Sequence, residues 1–195
     1  RREVAQNLIE RFSLQETARS RMAEFGVSTP WQAFVQVRLR FYDQMLADPE
    51  MLRDSQWLHN VGLLREARQS GCLTALATMS RCKQAQRVLD ILDLKGEFDF
   101  VATRDDVERG KPDPEIYQLV SQQLAIPPAE CLIVEDSPSG VKAALAAGMW
   151  CIAVTTPFTR KAIHAEALLD ARWIVDDPVT LPAVVQNMLE ERRPD

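Results

Sequence analysis

The chain lacks several features that would settle its class at once. No apolar run approaches the roughly 18–20 residues that a membrane-spanning helix needs. The opening residues Arg1-Arg2-Glu3-Val4 are polar and read as helical, with no apolar secretory stretch. None of the four cysteines (Cys72, Cys82, Cys131, Cys151) stands in a C-x-x-C pair, and the two histidines, His59 and His164, lie far from them in sequence. Structural zinc is therefore not expected, and the cysteines read as reduced, mostly buried thiols of a cytoplasmic protein. Internal repeats and low-complexity tracts are absent. Lys and Arg are not concentrated on any segment, the net charge is −5 and the pI is about 5.2, which argues against nucleic acid as a partner.

What remains is ordinary globular composition: 195 residues, 46% hydrophobic and 26% charged. The pattern changes near residues 50–58. Before it, every signal is helical. Apolar spacing at Ala5, Leu8, Ile9 and Phe12 is followed by a Ser-x-x-Glu capping box at Ser13–Glu16, and Gly26 stops the second helix. Thr29, Pro30 and Gln32 open a third helix that runs to about Leu46. One face of it carries Trp31, Phe34, Val35, Phe41, Tyr42, Met45 and Leu46, with Arg38 in the middle of that stripe. An arginine there needs a partner. That partner is an acid within the protein or an anionic substrate.

After residue 55, short apolar strands alternate with helices. Strands are expected at 73–78, 98–102, 131–134, 150–154 and 173–175, and helices at 55–69, 81–92, after Asp113, and up to Gly148. This alternation predicts an α/β fold with a parallel sheet covered on both faces, whose ligands bind at the carboxyl ends of the strands. Three polar features fall at such ends or in the loops that follow: Thr78, Lys111 and the pair Glu135-Asp136. The set suits phosphoryl chemistry. Lys111 offers a point cation, Thr78 and neighbouring backbone N–H groups offer donors to phosphate oxygens, and a carboxylate or two meets the demand of Mg²⁺. Each has a plainer reading: Thr78 as a β-branched strand residue, Lys111 as a solvated loop lysine, and the acids as a helix cap. Ser137 reads as the cap of the helix that follows it.

The stretches Gly110-Lys111-Pro112-Asp113-Pro114-Glu115-Ile116 and Val134-Glu135-Asp136-Ser137-Pro138-Ser139-Gly140-Val141-Lys142-Ala143-Ala144 resemble the third and fourth motifs of the haloacid dehalogenase superfamily. Leu76-Ala77-Thr78-Met79-Ser80 resembles its second. The similarity is to the branch of β-phosphoglucomutase-like enzymes and small-metabolite phosphatases, and it runs through nearly the whole chain. It implies a Rossmannoid three-layer parallel sheet with a small helical cap: residues 1–52 as part of the cap, and residues 53–195 as the core without its first strand. It also implies that Thr78 and Met79 bind phosphate and that Lys111 holds the phosphate and the nucleophile. By the same resemblance Asp136 ligates Mg²⁺ directly and Glu135 does so directly or through water; Arg38, from its place in the apolar stripe, is the candidate substrate contact if it faces the site from the cap.

The family's first motif, Asp-x-Asp, occurs nowhere in the sequence. In the family it supplies the nucleophile and the acid/base, on a strand between those that end near Thr78 and Asp136. The expectation is a Mg²⁺-dependent phosphohydrolase acting on a small phosphorylated metabolite, its nucleophile lying in a segment upstream of residue 1. The chain by itself is expected to be inactive. A strand supplied by another molecule, or a rearranged sheet without catalysis, would also account for the missing motif. A phosphomutase, a silent phosphate- and Mg²⁺-binding module and a metal-free dehalogenase stand as alternative functions.

Overall fold

The structure, a computed structural model, describes residues 5, 6, 9, 10 and 13–192. It divides into two compact units, residues 1–54 and 55–195.

In the first unit, α1 (Gln15–Ser20), α2 (Pro30–Ala47) and α3 (Pro49–Asp54) follow a helical stretch that includes Ala5, Gln6, Ile9 and Glu10. Leu8 and Phe12 of the expected apolar face lie outside the described residues. Ser13 differs from expectation. It ends the first helix instead of capping the second. Its φ is +52°, its N–H donates to the Glu10 carbonyl, and Leu14 N–H donates back to Ile9. That is the paired closure of a helix C-terminus, here with a non-glycine residue at the left-handed position. Thr29 precedes α2, but its hydroxyl donates to Gln32 Oε1 at 2.7 Å instead of accepting from the backbone. The apolar stripe of α2 is covered unevenly: Leu46 is buried, Trp31, Phe34 and Val35 are half-buried, and Phe41, Tyr42 and Met45 are exposed.

In the second unit, α4 (Leu58–Gln69) leads into β1 (Ala75–Ala77), then α5 (Cys82–Ile91), β2 (Phe100–Ala102) and α6 (Glu115–Leu124). After these come β3 (Leu132–Glu135), α7 (Pro138–Ala146), β4 (Trp150–Val154), α8 (Arg160–Glu166), β5 (Ile174–Val175) and α9 (Leu181–Glu191). All strand pairs are parallel. β1 pairs with β2, and separately β3 pairs with β4 and β4 with β5. Among the described residues, β1 and β3 each have one unpaired side.

The strands are covered on both faces, as an α/β fold requires. β4 shows it residue by residue. Cys151 and Ala153 join a core with Ile116, Tyr117 and Val120 of α6 and Val141, Ala143 and Ala144 of α7. Ile152 and Val154 point the other way, to Trp173, Leu181, Val185 and Met188. α7 ends where Gly148 takes a φ of +73°, which lets Met149 N–H return to the Ala144 carbonyl and start β4.

Only Cys151 among the four thiols is buried. Cys72 is exposed, and Cys82 and Cys131 are intermediate, so the expectation of mostly buried cysteines fails. The reason is their location at loop and helix starts, not inside strands. Among the described residues, no helix is long and apolar enough to cross a membrane.

Candidate functional site

Parallel strands put their carboxyl ends on one edge, and here that edge opens as a cleft of about 660 Å³. Thr78, Met79, Lys111, Glu135 and Asp136 all line it, together with Trp57, Asn60, Ser137, Ser139 and Thr156. The residues picked from sequence in the second unit therefore converge.

Thr78 directly follows β1. Its N–H is held by the Ala102 carbonyl of β2 at 2.9 Å, and its hydroxyl oxygen accepts from Ser80 N–H at 3.1 Å. The Met79 side chain passes over Gly110 so closely that a Cβ there would strike its methyl group.

Lys111 joins the two sheets. Its Nζ donates to the Ala77 carbonyl at the end of β1 (3.0 Å) and to Glu135 Oε1 at the end of β3. Only 9% of its side chain and 6% of that of Glu135 are exposed. An ammonium has three hydrogens, so these two bonds leave one for an oxygen in the cleft. The loop before Lys111 is pinned by Glu115, which accepts from the N–H groups of Glu108 and Arg109, each at 2.8 Å. Those backbone bonds, with the Arg109 guanidinium, hold the Glu115 carboxyl below the usual carboxylate range.

Glu135 is saturated. Oε1 takes Lys111 and the Tyr117 hydroxyl, while Oε2 takes the N–H groups of Asp136 and Ser137 and the Ser137 hydroxyl. Burial alone would raise its pKa. The Lys111 charge and these hydrogen bonds outweigh burial and hold the carboxyl below its usual value. Asp136 differs. It is exposed at the strand end, and partial desolvation and the neighbouring Glu135 charge push its pKa up. A cation beside it would relieve both. Ser137 caps α7, accepting from Gly140 N–H at 3.1 Å. Gly140 is required there, because a Cβ would overlap the Glu135 carboxylate.

Arg38 lies in the first unit and is exposed, with no ion pair to a described residue. Among the described residues no acid pairs with Arg38, so its partner, an acid within the protein or an anionic substrate, stays open. The paired arginine of α2 is Arg40, whose Nη1 meets Glu24 Oε1 at 2.6 Å, and Arg21 takes the other oxygen of Glu24.

Sequence reasoning missed Tyr117, Glu115, Trp57 and Asn60. Tyr117 carried a readable signal, since a tyrosine on the buried face of α6 must place its hydroxyl on a partner. Asn60 Oδ1 is buried and has no hydrogen-bond partner among the described atoms.

The Glu115 pin predicts a pH effect. Its folded-state pKa is depressed, so its stabilisation is complete above the unfolded glutamate value of about 4.3 and is lost as pH falls through the folded value. Urea midpoints of the wild type and Glu115→Gln should differ at pH 6 and converge in acid. A gap independent of pH would exclude this role.

Comparisons with known proteins identify the family. A family model for haloacid dehalogenase-like hydrolases matches residues 19–148. Hexitol phosphatase A of Escherichia coli (strain K12) is 39% identical over 97 residues, covering 50% of this chain and 44% of that protein. Validoxylamine A 7'-phosphate phosphatase of Streptomyces hygroscopicus subsp. limoneus is 34% identical over 116 residues, covering 57% and 54%. The chain thus spans about half the length of the curated relatives it matches. A crystal structure of CbbY from Rhodobacter sphaeroides, a mutant in complex with xylulose-(1,5)bisphosphate, superimposes with a TM-score of 0.60 at 25% identity, covering 75% of this chain and 64% of that one. Motifs, fold and family model coincide, and the chain belongs to the haloacid dehalogenase-like hydrolases.

Proposed function

We propose that this chain is the phosphate- and Mg²⁺-binding part of a phosphohydrolase for a small phosphorylated metabolite of the sugar- or hexitol-phosphate kind. The observation that carries the reading is the meeting of Thr78, Lys111 and Asp136 in one cleft at the ends of β1 and β3. Relatives named for hexitol and validoxylamine phosphates support the substrate class. Residues 1–52 take the part of the helical cap and residues 53–195 that of the core, and Arg38 is the cap residue proposed to reach substrate. The four free thiols suit a reducing compartment such as the cytoplasm.

The roles follow from the chemistry of the side chains. Lys111 meets a phosphate oxygen with its remaining N–H and neutralises charge. The Thr78 hydroxyl and the Met79 N–H donate to other oxygens. The donor set fits Mg²⁺, which accepts one or two carboxylates and completes its shell with water and phosphate oxygen. Asp136 would ligate it directly. Glu135, already held at both oxygens, would act through water. When bound, Mg²⁺ supplies charge neutralisation to the transferring group.

The nucleophile of this proposal is an aspartate on an extended segment not contained in the chain. The unpaired sides of β1 and β3, which line one cleft, support it: a strand there would satisfy both ladders. That carboxylate would attack phosphorus and break its bond to the ester oxygen, the metabolite leaving as its alcohol; water would then hydrolyse the aspartyl-phosphate to the free carboxylate and inorganic phosphate.

The test begins with the protein from its natural source, weighed intact and assayed with Mg²⁺ against hexitol and sugar phosphates. The expected result is a mass above 22.1 kDa and release of inorganic phosphate, abolished by Asp136→Asn. An isomer without net phosphate release would assign a phosphomutase. Phosphate binding without turnover, at a mass equal to that of the chain, would make it a silent binding module and end the enzyme reading.

A further inference from the structure

The Glu135–Lys111 pair stands on a third residue that has no part in the scheme above. Tyr117 lies on the inner face of α6 between Ile116 and Val120 and is 2% exposed. A phenylalanine would fill the same space without a buried hydroxyl to satisfy. The hydroxyl is used: it donates to Glu135 Oε1 at 2.5 Å, the same oxygen that accepts from Lys111. The ring is used as well, because Lys111 Nζ lies 4.7 Å from its centroid. One side chain therefore touches both members of the pair, by a hydrogen bond to the acid and by its π-face to the cation.

Without this residue the pair would be less constrained. Oε2 of Glu135 is fixed to the start of α7 by Asp136 N–H, Ser137 N–H and Ser137 Oγ. Oε1 would be tied only to Lys111, whose flexible stem does not fix a direction. A phenol keeps its proton at neutral pH, and the carboxylate oxygen it meets can only accept, so Tyr117 is the donor.

We propose that Tyr117 is a positioning residue. Its hydroxyl and ring hold Glu135 and Lys111 so that the Lys111 ammonium stays at the end of β1 with one hydrogen free for a phosphate oxygen. The assignment rests on the reading of Lys111 as a phosphate ligand.

The test uses the 195-residue chain, inorganic phosphate with Mg²⁺ as the probe, and two readouts. Calorimetry gives the phosphate Kd. Low-temperature nitrogen NMR gives the hydrogen-exchange rate of the Lys111 ammonium, which a merely structural role of Tyr117 would not change. Tyr117→Phe keeps the ring and removes one oxygen. It should weaken phosphate binding about tenfold, the scale of one hydrogen bond, and speed exchange of the Lys111 ammonium, with native circular dichroism. A folded Tyr117→Phe with unchanged Kd and unchanged exchange overturns the proposal. If that variant does not fold, fluorotyrosine at position 117 keeps the shape and makes the hydroxyl more acidic. A shifted Lys111 ammonium resonance then supports the role, and an unshifted one overturns it. Lys111→Ala separates the two ideas. If it leaves the phosphate Kd unchanged, the phosphate reading of Lys111 falls, and Tyr117 is judged by ammonium exchange alone.

Discussion

Replacing Glu135 by alanine should remove about 3–5 kcal/mol of unfolding free energy, the loss typical when one partner of a buried ion pair is deleted. The size follows from burial. With 9% and 6% of the two side chains exposed, solvent screens little of the interaction. Glu135→Ala would strand the Lys111 charge, the Tyr117 hydroxyl and the Ser137 hydroxyl together. Urea denaturation at pH 7 measures the loss. The double variant Glu135→Ala/Lys111→Met should recover much of it, because an apolar pair leaves no buried charge. A single-variant loss below about 1 kcal/mol would mean that the pair behaves like a surface contact and would remove the basis for treating it as the structural centre of the cleft.

Gly140→Ala should also destabilise the protein, against the trend of helix propensity. Gly140 sits in the first turn of α7 with no positive φ, where alanine would ordinarily gain up to about 1 kcal/mol. Here the new methyl group would occupy the place of the Glu135 carboxylate. The carboxylate is held by Lys111, Tyr117 and Ser137 and cannot swing aside without breaking those bonds. A net loss of about 1–3 kcal/mol is expected, as for other overpacked sites. The sign should reverse in a Glu135→Ala background, where the methyl group has room and only the propensity gain remains. This cycle isolates the contact. A stabilising Gly140→Ala in the otherwise wild-type protein would show that Glu135 is free to move.

The second unit is legible in the sequence because its signals are local and mutually consistent. The apolar run at 150–154, bounded by Gly148, reads as a buried strand, and it is one. The Asp113-Pro114 and Ser137-Pro138 pairs mark helix starts, and both carboxylate and hydroxyl are used as N-terminal acceptors. Thr78, Lys111 and Asp136 can be brought together because parallel topology sends strand ends to one edge. Sequence reasoning missed α8 and α9; α8 has a short apolar face, but α9 carried a readable signal in Leu181, Val185 and Met188. The expected strand over 73–78 shrinks to Ala75–Ala77 because Thr74 is engaged by Asp99 and by the Glu97 carbonyl. The first unit reads less well for a physical reason. A helical wheel gives the apolar face of α2 but not what covers it, and Phe41 and Met45 turn out exposed. Ser13 shows the same limit: its sequence context suits a helix start, and its backbone makes a helix end.

The unpaired sides of β1 and β3 bear on self-association. An outward-facing strand edge is a template for another sheet, and addition there can repeat without limit, the route to fibres. In this fold both edges line one cleft, with Lys111 spanning its end. A recess with two walls closes after a single strand has entered, because that strand meets a partner on each side and offers no fresh edge. On the proposed reading, a recess of this shape admits one extended segment and opposes open-ended growth.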